Sequence, residues 1–448
     1  MRILLLNPPY DREPRGSFRN EGLALGYIAA VLRRDGHEVE VFDARIQRLQ
    51  PRDIIRDTLK RDCDCLGITA ADAQKHNLIS IVRAVRRRKK DAVIVVGGYL
   101  PTLAPAQLLA ACPEIDFLVR GEGEAVASDV FGRIARGEDW RETPGIAFLR
   151  DGEAVTNPPA PLIQDLDSLP FPARDALDQT PRPVPALIAG SRGCYHRCAF
   201  CCIHSFYSIA GNRPPRFRSA PNIVAEIGSL VAERGLKQFG FVDDDFIGPS
   251  AETRDRAARI AQEIIDRKLG ITFSLECRAD EVEEDLLQLL KEAGLTHVLL
   301  GVESGVQAQL DRYNKRITVE QNKRAIEMVR RSGVKLTTGF IMLDPYVTPV
   351  ETNVNMKFLR EMGLLDNGRL ASAQSLMKLK LFHGIPLAER VRADGLLREK
   401  GLDLDYSFSD PQFRILYGIL HALGACSSLV RRVRGLFRRD PSRPHQLP

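Results

Sequence analysis

The sequence lacks a hydrophobic run long enough to cross a membrane. No stretch reaches the roughly 18 consecutive apolar residues of a membrane span, and the apolar start Met1–Leu6 is ended by Asn7-Pro8-Pro9. That start is too short for a signal peptide, so we expect no export. The formal net charge of +6 is mild for 448 residues, and the basic residues are not interleaved with aromatic ones. Nucleic-acid binding is therefore not indicated.

Two further patterns are missing, and each absence narrows the choice of cofactor. A G-x-G-x-x-G fingerprint does not follow the first predicted strand, which argues against a bound dinucleotide. No second pair of cysteines or histidines accompanies the cysteine-rich segment Cys194–Cys202, which disfavours a structural zinc site. What is present instead is an unusual concentration of thiols, because this segment holds four of the nine cysteines.

Three of these cysteines are spaced as ligands of one inorganic cluster. Cys194, Cys198 and Cys201 form a C-x3-C-x2-C array that one loop can wrap around a cluster. An electron-transfer [4Fe-4S] cluster takes four cysteine ligands, so three would leave one iron open to a substrate or cofactor. Cys202 leaves a second register, C-x3-C-x3-C, available. The aromatic Phe200 favours Cys201 as the third ligand.

The array C-x3-C-x-aromatic-C resembles that of the radical S-adenosylmethionine (SAM) enzymes. The resemblance implies a [4Fe-4S] cluster on Cys194, Cys198 and Cys201, with Phe200 in the adjoining SAM site. In that superfamily the unique iron binds the amino and carboxylate groups of SAM. An electron from the cluster then cleaves SAM to a 5'-deoxyadenosyl radical.

The N-terminal third, 1–143, alternates strands and helices. Apolar runs predict five buried parallel strands, Ile3–Leu6, Val39–Phe42, Leu66–Thr69, Ala92–Val96 and Phe117–Val119. With helices between them, these strands predict a doubly wound, Rossmann-like α/β sheet. Ligands bind such sheets beyond the carboxyl ends of the strands. Glycines at those ends let backbone approach a ligand, although tight turns explain them equally well.

The segments at these strand ends resemble the cobalamin-binding domain that precedes many radical SAM enzymes. The resemblance implies a cobalamin site formed by Asn7, Thr69, Gly97, Gly98, Gly121 and Glu122. Many such domains carry Asp-x-His-x-x-Gly, whose histidine ligates cobalt. The only Asp-x-His here, Asp35–His37, precedes a strand and so lies at the wrong end of the sheet. We therefore predict cobalamin without a protein histidine ligand, or a domain that has lost the cofactor, and interpret His37 as a surface turn residue.

A hairpin at Ile146–Val155 and a proline-rich stretch predict a stiff linker over 144–185. Beyond it, apolar runs predict six parallel strands, Ala186–Gly190, Gln238–Val242, Thr272–Glu276, Val298–Val302, Leu336–Met342 and Ser375–Leu381. By the resemblance, 186–403 forms the radical SAM partial (β/α)6 barrel of TIM type. Functional groups are then expected at the carboxyl ends of its strands. A basic helical tail follows over 404–448.

The chemistry of SAM assigns expected roles at those strand ends. SAM presents an ammonium, a carboxylate and two ribose hydroxyls, so its site needs acceptors and one fixed cation. We expect Arg278 to bind the carboxylate, Asp243 or Asp244 the ammonium, and Glu303 the ribose. An ordinary ion pair at the rim is the alternative for Arg278. Gly339 begins a segment that resembles the family's backbone contact to adenine, although a leucine replaces the usual glycine four residues later.

The resemblance spans about Arg2–Leu402 and implies a class of enzyme rather than a substrate. The leading hypothesis is a cobalamin-dependent methylase of an unactivated carbon. In that family one SAM methylates the cobalt, a second yields the radical that abstracts hydrogen, and methylcobalamin methylates the resulting carbon radical. The enzyme alternative is a radical SAM cyclase, oxidase or rearrangement enzyme without methyl transfer. The non-enzyme alternative is an iron–sulfur electron carrier. A methylthiotransferase is disfavoured, because its first domain needs three cluster cysteines and only Cys63, Cys65 and Cys112 lie there.

The expected partners are an unknown small-molecule or peptide substrate and an external one-electron reductant such as flavodoxin or ferredoxin. Cluster thiolates must stay reduced, which favours the cytosol.

In the tail, the apolar stretch Ile415–Val430 is followed by Arg431, Arg432, Arg434, Arg438 and Arg439. This basic amphipathic pattern allows peripheral contact with an anionic membrane. Docking of its apolar stripe on the barrel is the commoner alternative.

Overall fold

The computed structural model describes residues 1–12, 20–180, 183–211, 214–366, 369–370 and 378–419. The strands of the first sheet are β1 (Arg2–Asn7), β2 (Glu38–Asp43), β3 (Cys65–Thr69), β4 (Val93–Gly97), β5 (Phe117–Val119), β6 (Ile146–Arg150) and β7 (Glu153–Thr156). The helices between the first five are α1 (Leu23–Arg34), α2 (Pro51–Lys60), α3 (Lys75–Arg88), α4 (Tyr99–Leu103) and α5 (Pro105–Ala111), and α6 (Gly123–Arg136) follows β5.

The order of the first sheet is β2-β1-β3-β4-β5-β6-β7. Its first five strands are parallel, as the apolar runs predict. The chain turns to opposite sides of β1 on its way to β2 and β3, and this reversal opens a crevice at their carboxyl ends. The hairpin β6–β7 differs from the expectation. It does not belong to a free linker, because β6 pairs antiparallel with β5 and extends the sheet.

The remaining strands are β8 (Ala186–Ile188), β9 (Ser191–Arg192), β10 (Arg216–Phe217), β11 (Gln238–Phe241), β12 (Thr272–Arg278), β13 (Leu295–Glu303), β14 (Lys335–Phe340), β15 (Leu365–Asp366), β16 (Arg369–Leu370), β17 (Leu397–Lys400) and β18 (Asp403–Tyr406). The remaining helices are α7 (Asp175–Asp178), α8 (Cys202–Tyr207), α9 (Ala220–Arg234), α10 (Ala251–Asp266), α11 (Glu284–Glu292), α12 (Gln307–Arg312), α13 (Val319–Ser332), α14 (Pro349–Glu361) and α15 (Pro386–Ala393).

The second large sheet has the order β8-β11-β12-β13-β14 and is parallel throughout. Within the described residues it therefore has five strands rather than the predicted six. At the position of the predicted sixth strand, the described residues show one parallel bridge, between Lys378 and Leu343. Residues 375–377 of that prediction lie outside the described residues.

Alternation along β12 separates the core of this second unit from its interior. Phe273, Leu275 and Cys277 are buried in the core cluster that also takes in apolar residues of α9, α10, α11 and α13. Glu276 and Arg278 point to the opposite face, since successive side chains of a strand alternate. The concave face of the partial barrel is thus the polar one, and its carboxyl edge is available for chemistry.

A buried arginine fastens the proline-rich connection to both halves of the chain. Arg174 pairs with Glu21, which precedes α1, and with Glu226 on α9. Glu226 accepts a further hydrogen bond from Arg218 at 2.6 Å. The three carboxylate and guanidinium groups nearest Arg174 are at most 4% exposed. The connection is therefore held by buried charges rather than by its prolines alone.

The start of the tail contradicts simple docking of its apolar stripe. The helix over 411–419 places Tyr417 against Phe408, with ring centroids 5.4 Å apart. Ile415, Leu416 and Ile419 are instead 64%, 50% and 53% exposed. The rest of the tail, with all its arginines, lies outside the described residues, so membrane contact stays a prediction that vesicle sedimentation would test. No helix in the described part of the chain has the length and hydropathy of a membrane span.

Replacing Arg174 with alanine should loosen the two halves of the molecule. The substitution leaves the buried carboxylates of Glu21 and Glu226 without their shared cation, a loss of about 3 to 5 kcal/mol. We expect an earlier first transition in urea and faster proteolysis between residues 157 and 180. The matched control is Arg136→Ala, which removes an arginine from an exposed pair with Glu138 and should leave both measurements unchanged. An Arg174→Ala variant that behaves like this control would contradict the proposed role.

Candidate active site

A cavity of about 440 Å³ lies where the carboxyl ends of the two sheets face each other. From the first sheet it is lined by every residue predicted for cobalamin, namely Asn7, Thr69, Gly97, Gly98, Gly121 and Glu122. From the second sheet it is lined by the residues that follow β8 and β11, including Arg192 and Asp244, and by Tyr207 of α8. Of the residues predicted for SAM, Asp244 lines the same cavity, whereas the cluster cysteines, Arg278, Glu303 and Gly339 are not among its lining residues, and the individual binding roles stay predictions.

Two of the cobalamin candidates have clear tasks within the protein itself. Asn7 is buried and donates from Nδ2 to Asp43 Oδ1 at 3.0 Å, while its Oδ1 accepts from Gln74 at 3.0 Å. Its amide is therefore committed to joining the ends of β1 and β2. Gly98 has φ of 109°, and a Cβ there would lie 2.8 Å from the carbonyl oxygen of Ala70. Only glycine fits this close approach at the cavity wall.

Glu122 links the end of β5 to the antiparallel strands β9 and β10 of the second half of the chain. Its carboxylate accepts from Arg216 at 2.8 and 2.9 Å and from Arg192 at 3.1 Å. The next acidic residue, Glu124, pairs with the same Arg192 at 2.5 Å. Burial raises the pKa of Glu122, but the two guanidiniums outweigh it and hold that pKa below its ordinary value. Both acidic residues of Gly-Glu-Gly-Glu therefore hold the domains together at the edge of the cavity.

The predicted cluster cysteines lie on the loop between β9 and α8. Cys194, Cys198 and Cys201 are partly buried, and burial raises the pKa of each thiol. Cys201 directly precedes α8 as its N-cap residue. Cys202 instead packs against the apolar cluster formed near α15 and β18. This placement favours the register in which Cys201, not Cys202, is the third ligand.

Backbone hydrogen bonds fix this loop from two sides. The N–H of Ala199 donates to the carbonyl of Tyr313 at 2.7 Å, and its carbonyl accepts from Leu387 at 2.9 Å. Phe200 turns its ring onto Tyr313, with centroids 5.4 Å apart and the planes nearly perpendicular. Phe200 thus packs into the wall behind the cysteines. The structure accounts for this aromatic by packing, and its contact with SAM stays a prediction.

The paired aspartates after β11 differ sharply in what they touch. Asp243 is fully buried, accepts from Ser191 Oγ at 2.6 Å and lies 3.5 Å from Arg256. Its second oxygen accepts from the backbone N–H that precedes Ser191, at 2.9 Å. Asp244 lines the cavity and accepts from the N–H of Gly193 at 3.2 Å. Burial raises the pKa of Asp244 to about 7. Of the two, Asp244 is the one that lines the cavity.

Arg278 lies beside the cluster loop but already has partners. Its Nη1 is 3.8 Å from Cys198 Sγ, and its Nη2 donates to the carbonyl of Lys315 at 2.6 Å. Its Nε pairs with Asp280 Oδ1 at 3.0 Å. The structure thus shows the ion pair of the alternative interpretation, while binding of the SAM carboxylate by Arg278 stays a prediction.

Glu303 and Gly339 lie next to each other on β13 and β14. A Cβ on Gly339 would be 3.5 Å from Glu303 Oε2. Glu303 has a left-handed φ of 62°, which occurs where the pairing of β13 with β14 shifts register. Its Oε1 lies 3.2 Å from Nζ of Lys315, a buried lysine that the sequence analysis did not single out. Lys315 follows a helix rather than a strand, so the expectation that functional groups lie at the carboxyl ends of strands does not identify it.

Two family models match the chain. The B12 binding domain model matches residues 18–131, which fall within the first five strands and their helices. The radical SAM superfamily model matches residues 188–359, from the end of β8 to α14. Together they cover four strands of the first sheet, without β1, β6 and β7, and nearly all of the second sheet.

Individual relatives agree with these models. An uncharacterized methyltransferase of Pyrococcus horikoshii is 28% identical over 370 residues, covering 81% of this chain and 79% of that protein. The anaerobic magnesium-protoporphyrin IX monomethyl ester cyclase of Rubrivivax gelatinosus is 32% identical over 361 residues, covering 76% of this chain and 62% of that protein. This chain therefore spans less than two thirds of the length of the cyclase.

A solved structure extends the likeness to the whole fold. The cobalamin-dependent SAM radical enzyme OxsB, with aqua-cobalamin and SAM bound, aligns with a TM-score of 0.76 at 21% identity. The alignment covers 91% of this chain and 64% of that chain. The two domain models occur in the order of the two sheets, and this alignment spans both. The chain therefore contains a B12 binding domain followed by a radical SAM domain, and the cofactors of these domains are cobalamin for the first and a [4Fe-4S] cluster with SAM for the second.

Proposed function

We propose that this chain is a cobalamin-dependent radical SAM methylase that acts on an unactivated carbon. The observation that carries the proposal is that one cavity is lined both by the candidate cobalamin residues and by residues next to the cluster loop. Its wall includes Gly97 and Gly98 from the first sheet, and Tyr207 and Asp244 beside the cluster loop. Methylation of a carbon radical requires the methyl donor and the radical source to approach one substrate atom, and binding both at one cavity meets that need.

The loop residues fit a [4Fe-4S] cluster with an open iron. Three thiols lie on one anchored loop. Burial alone keeps these thiols protonated, and coordination to iron would hold them as thiolates. When bound, the cluster and SAM would supply the 5'-deoxyadenosyl radical, and cobalamin would supply the methyl group. The guanidinium of Arg278, 3.8 Å from Cys198 Sγ, places positive charge beside the cluster. It would favour the electron-rich thiolate ligands.

Three side chains would bind and orient SAM. Asp244 has a carboxylate oxygen turned to the cavity, and this oxygen would accept from the ammonium group. Glu303 would accept from the ribose hydroxyls, because it lies beside Gly339, where the absent side chain leaves backbone uncovered. Lys315 would hold the Glu303 carboxylate in place at 3.2 Å. Asp243 accepts from the N–H of Gly190 and the hydroxyl of Ser191, where β8 leads into β9, and is a positioning residue.

The first sheet contributes a wall that suits a large flat cofactor. Gly97 and Gly98 expose backbone there, and the rings of Tyr99 and Phe206 lie 4.7 Å apart at the same cavity. The described residues that line the cavity include no histidine. His37 lies before β2, with its ring 6.4 Å from that of Phe131. We propose that cobalamin is held here by packing and backbone contacts without a histidine on cobalt.

A second candidate function is radical cyclisation, oxidation or rearrangement without methyl transfer. It is favoured by the 32% identity to the magnesium-protoporphyrin ester cyclase. Both candidates need an external one-electron reductant, for which flavodoxin or ferredoxin is the proposed source. The reduced thiolates of the cluster loop support a cytosolic setting.

Product mass distinguishes the two candidates. Reconstituted protein is incubated under anaerobic conditions with SAM, cobalamin, reduced flavodoxin and a panel of small-molecule and peptide acceptors. The methylase proposal expects an acceptor that gains one methyl group, with 5'-deoxyadenosine formed alongside it. An acceptor that loses hydrogen or closes a ring without that gain would instead establish the second candidate. Omission of cobalamin is the control, because it should abolish methyl gain only.

The cluster register gives a second test. Cys201→Ala should lose most iron and sulfide, because the third thiolate is then missing. The matched variant Cys202→Ala should retain both, since Cys202 packs in an apolar cluster. Iron and sulfide content after anaerobic reconstitution is the measurement. Retention of the cluster by Cys201→Ala together with its loss from Cys202→Ala would show that the register is C-x3-C-x3-C.

A further inference from the structure

A second group of ligand-type side chains lies behind the cluster loop. His196 Nε2 is 2.9 Å from Glu281 Oε1 and 3.8 Å from Asp245 Oδ2. One possible ligand atom from each residue lies within 4.8 Å of the other two. His196 comes from the cluster loop, Asp245 from the end of β11, and Glu281 from the short turn after β12. Three separate parts of the chain therefore converge on one point.

The burial of Asp245 and its lack of hydrogen-bond partners favour a bound cation at this point. Its side chain is 3% exposed. Neither of its carboxylate oxygens has a hydrogen-bond partner among the described residues. A buried carboxylate without partners is strongly unfavourable, and the carboxylate of Glu281 facing it adds repulsion. A cation between the two carboxylates would remove both penalties.

The nearby arginine does not supply that cation. Arg278 lies 3.8 Å from Glu281 Oε1, but its Nε is engaged with Asp280 at 3.0 Å. Arg278 forms no hydrogen bond to Asp245 among the described residues. Glu281 Oε2 accepts from the backbone N–H of Gly248 at 3.2 Å, which leaves Oε1 directed at His196. Burial raises the pKa of both carboxyl groups, and Glu281 raises that of Asp245 further, so a metal ion would bind here by displacing a proton from the pair.

We propose that His196, Asp245 and Glu281 bind one divalent transition-metal ion that is separate from the cluster iron. One imidazole and two carboxylates form a donor set that Mn²⁺, Fe²⁺ and Zn²⁺ accept. Ligand atoms on such an ion, each about 2.1 Å from it, are about 3 to 3.5 Å apart. The separations of 2.9 and 3.8 Å need little adjustment to reach that geometry. Water would complete the coordination.

This ion would position the cluster loop. His196 stands between Cys194 and Cys198, so a metal bond to its imidazole restrains the loop from inside. The two carboxylates belong to segments that directly follow β11 and β12, which are rigid parts of the sheet. The ion would therefore tie the cysteines to the carboxyl edge of the barrel. It would take no part in methyl transfer, and the site stands whether or not the chain is a methylase.

Mn²⁺ is the probe for this site, because it prefers oxygen and imidazole ligands to thiolates and so avoids the cluster cysteines. The full-length chain, carrying its oxidised and EPR-silent cluster, is titrated with Mn²⁺, and the free ion is followed by EPR. We expect one Mn²⁺ per chain and an increase in Kd of about tenfold or more for Asp245→Asn. Glu283→Gln is the matched control. It removes a carboxylate two residues from Glu281 that pairs with Arg254 at the surface, and it should leave the Kd unchanged.

Absence of stoichiometric binding in the unmodified chain, or an equal Kd in Asp245→Asn, would overturn the proposal. The two carboxylates would then share a proton instead. Iron and sulfide content is measured on every variant to show that the loop is assembled. Where Asp245→Asn does not retain its cluster, Glu281→Gln replaces it in the same comparison, with the same expected increase in Kd.

Discussion

Buried ion pairs join Glu122 and Glu124, which follow β5 of the first sheet, to Arg192 and Arg216 on the paired strands β9 and β10 of the second half of the chain. All four side chains are at most 13% exposed. Removing one partner of such a pair leaves an uncompensated buried charge, so the relative position of the sheets is tightly determined. These pairs place the carboxyl ends of both sets of strands around one cavity. The cavity between the two halves is a consequence of this electrostatic contact.

The cavity and the cluster loop are linked through short connections from the same strands. Asp243 fixes the ends of β8 and β11 by accepting from Ser191, while Asp244, its neighbour, faces the cavity. Arg192 joins Glu122 and Glu124 just before the first cluster cysteine. A change in the contact between the domains would therefore also displace the cysteine loop, because only one residue separates Arg192 from Cys194.

Sequence predicted the features that depend on local pattern. Buried parallel strands are continuous apolar runs, so β1 to β5 and β11 to β14 were identifiable, and the rule of strand ends placed the cobalamin candidates at the cavity. The hairpin β6–β7 was predicted as a hairpin but assigned to the linker. Its pairing with β5 depends on the edge that β5 leaves open, which no local pattern encodes.

Contacts between residues that are far apart in the chain could not be predicted from the sequence. Glu122 was expected to contact cobalamin, yet its arginine partners lie 70 and 94 residues away. Asp243 and Asp244 are adjacent and chemically identical, and only the fold shows which of them is committed to Ser191. His196, Asp245 and Glu281 likewise come together only because β11 and β12 are neighbours in the sheet, which the sequence pattern does not show.

The central claim is that cobalamin and the cluster face the same cavity. Pulsed EPR on reconstituted protein tests it, with cobalt as cob(II)alamin and the cluster in its reduced, paramagnetic state. The account predicts dipolar coupling between the two electron spins that disappears when either cofactor is omitted. A spectrum of the doubly loaded protein that equals the sum of the two separate spectra would contradict it.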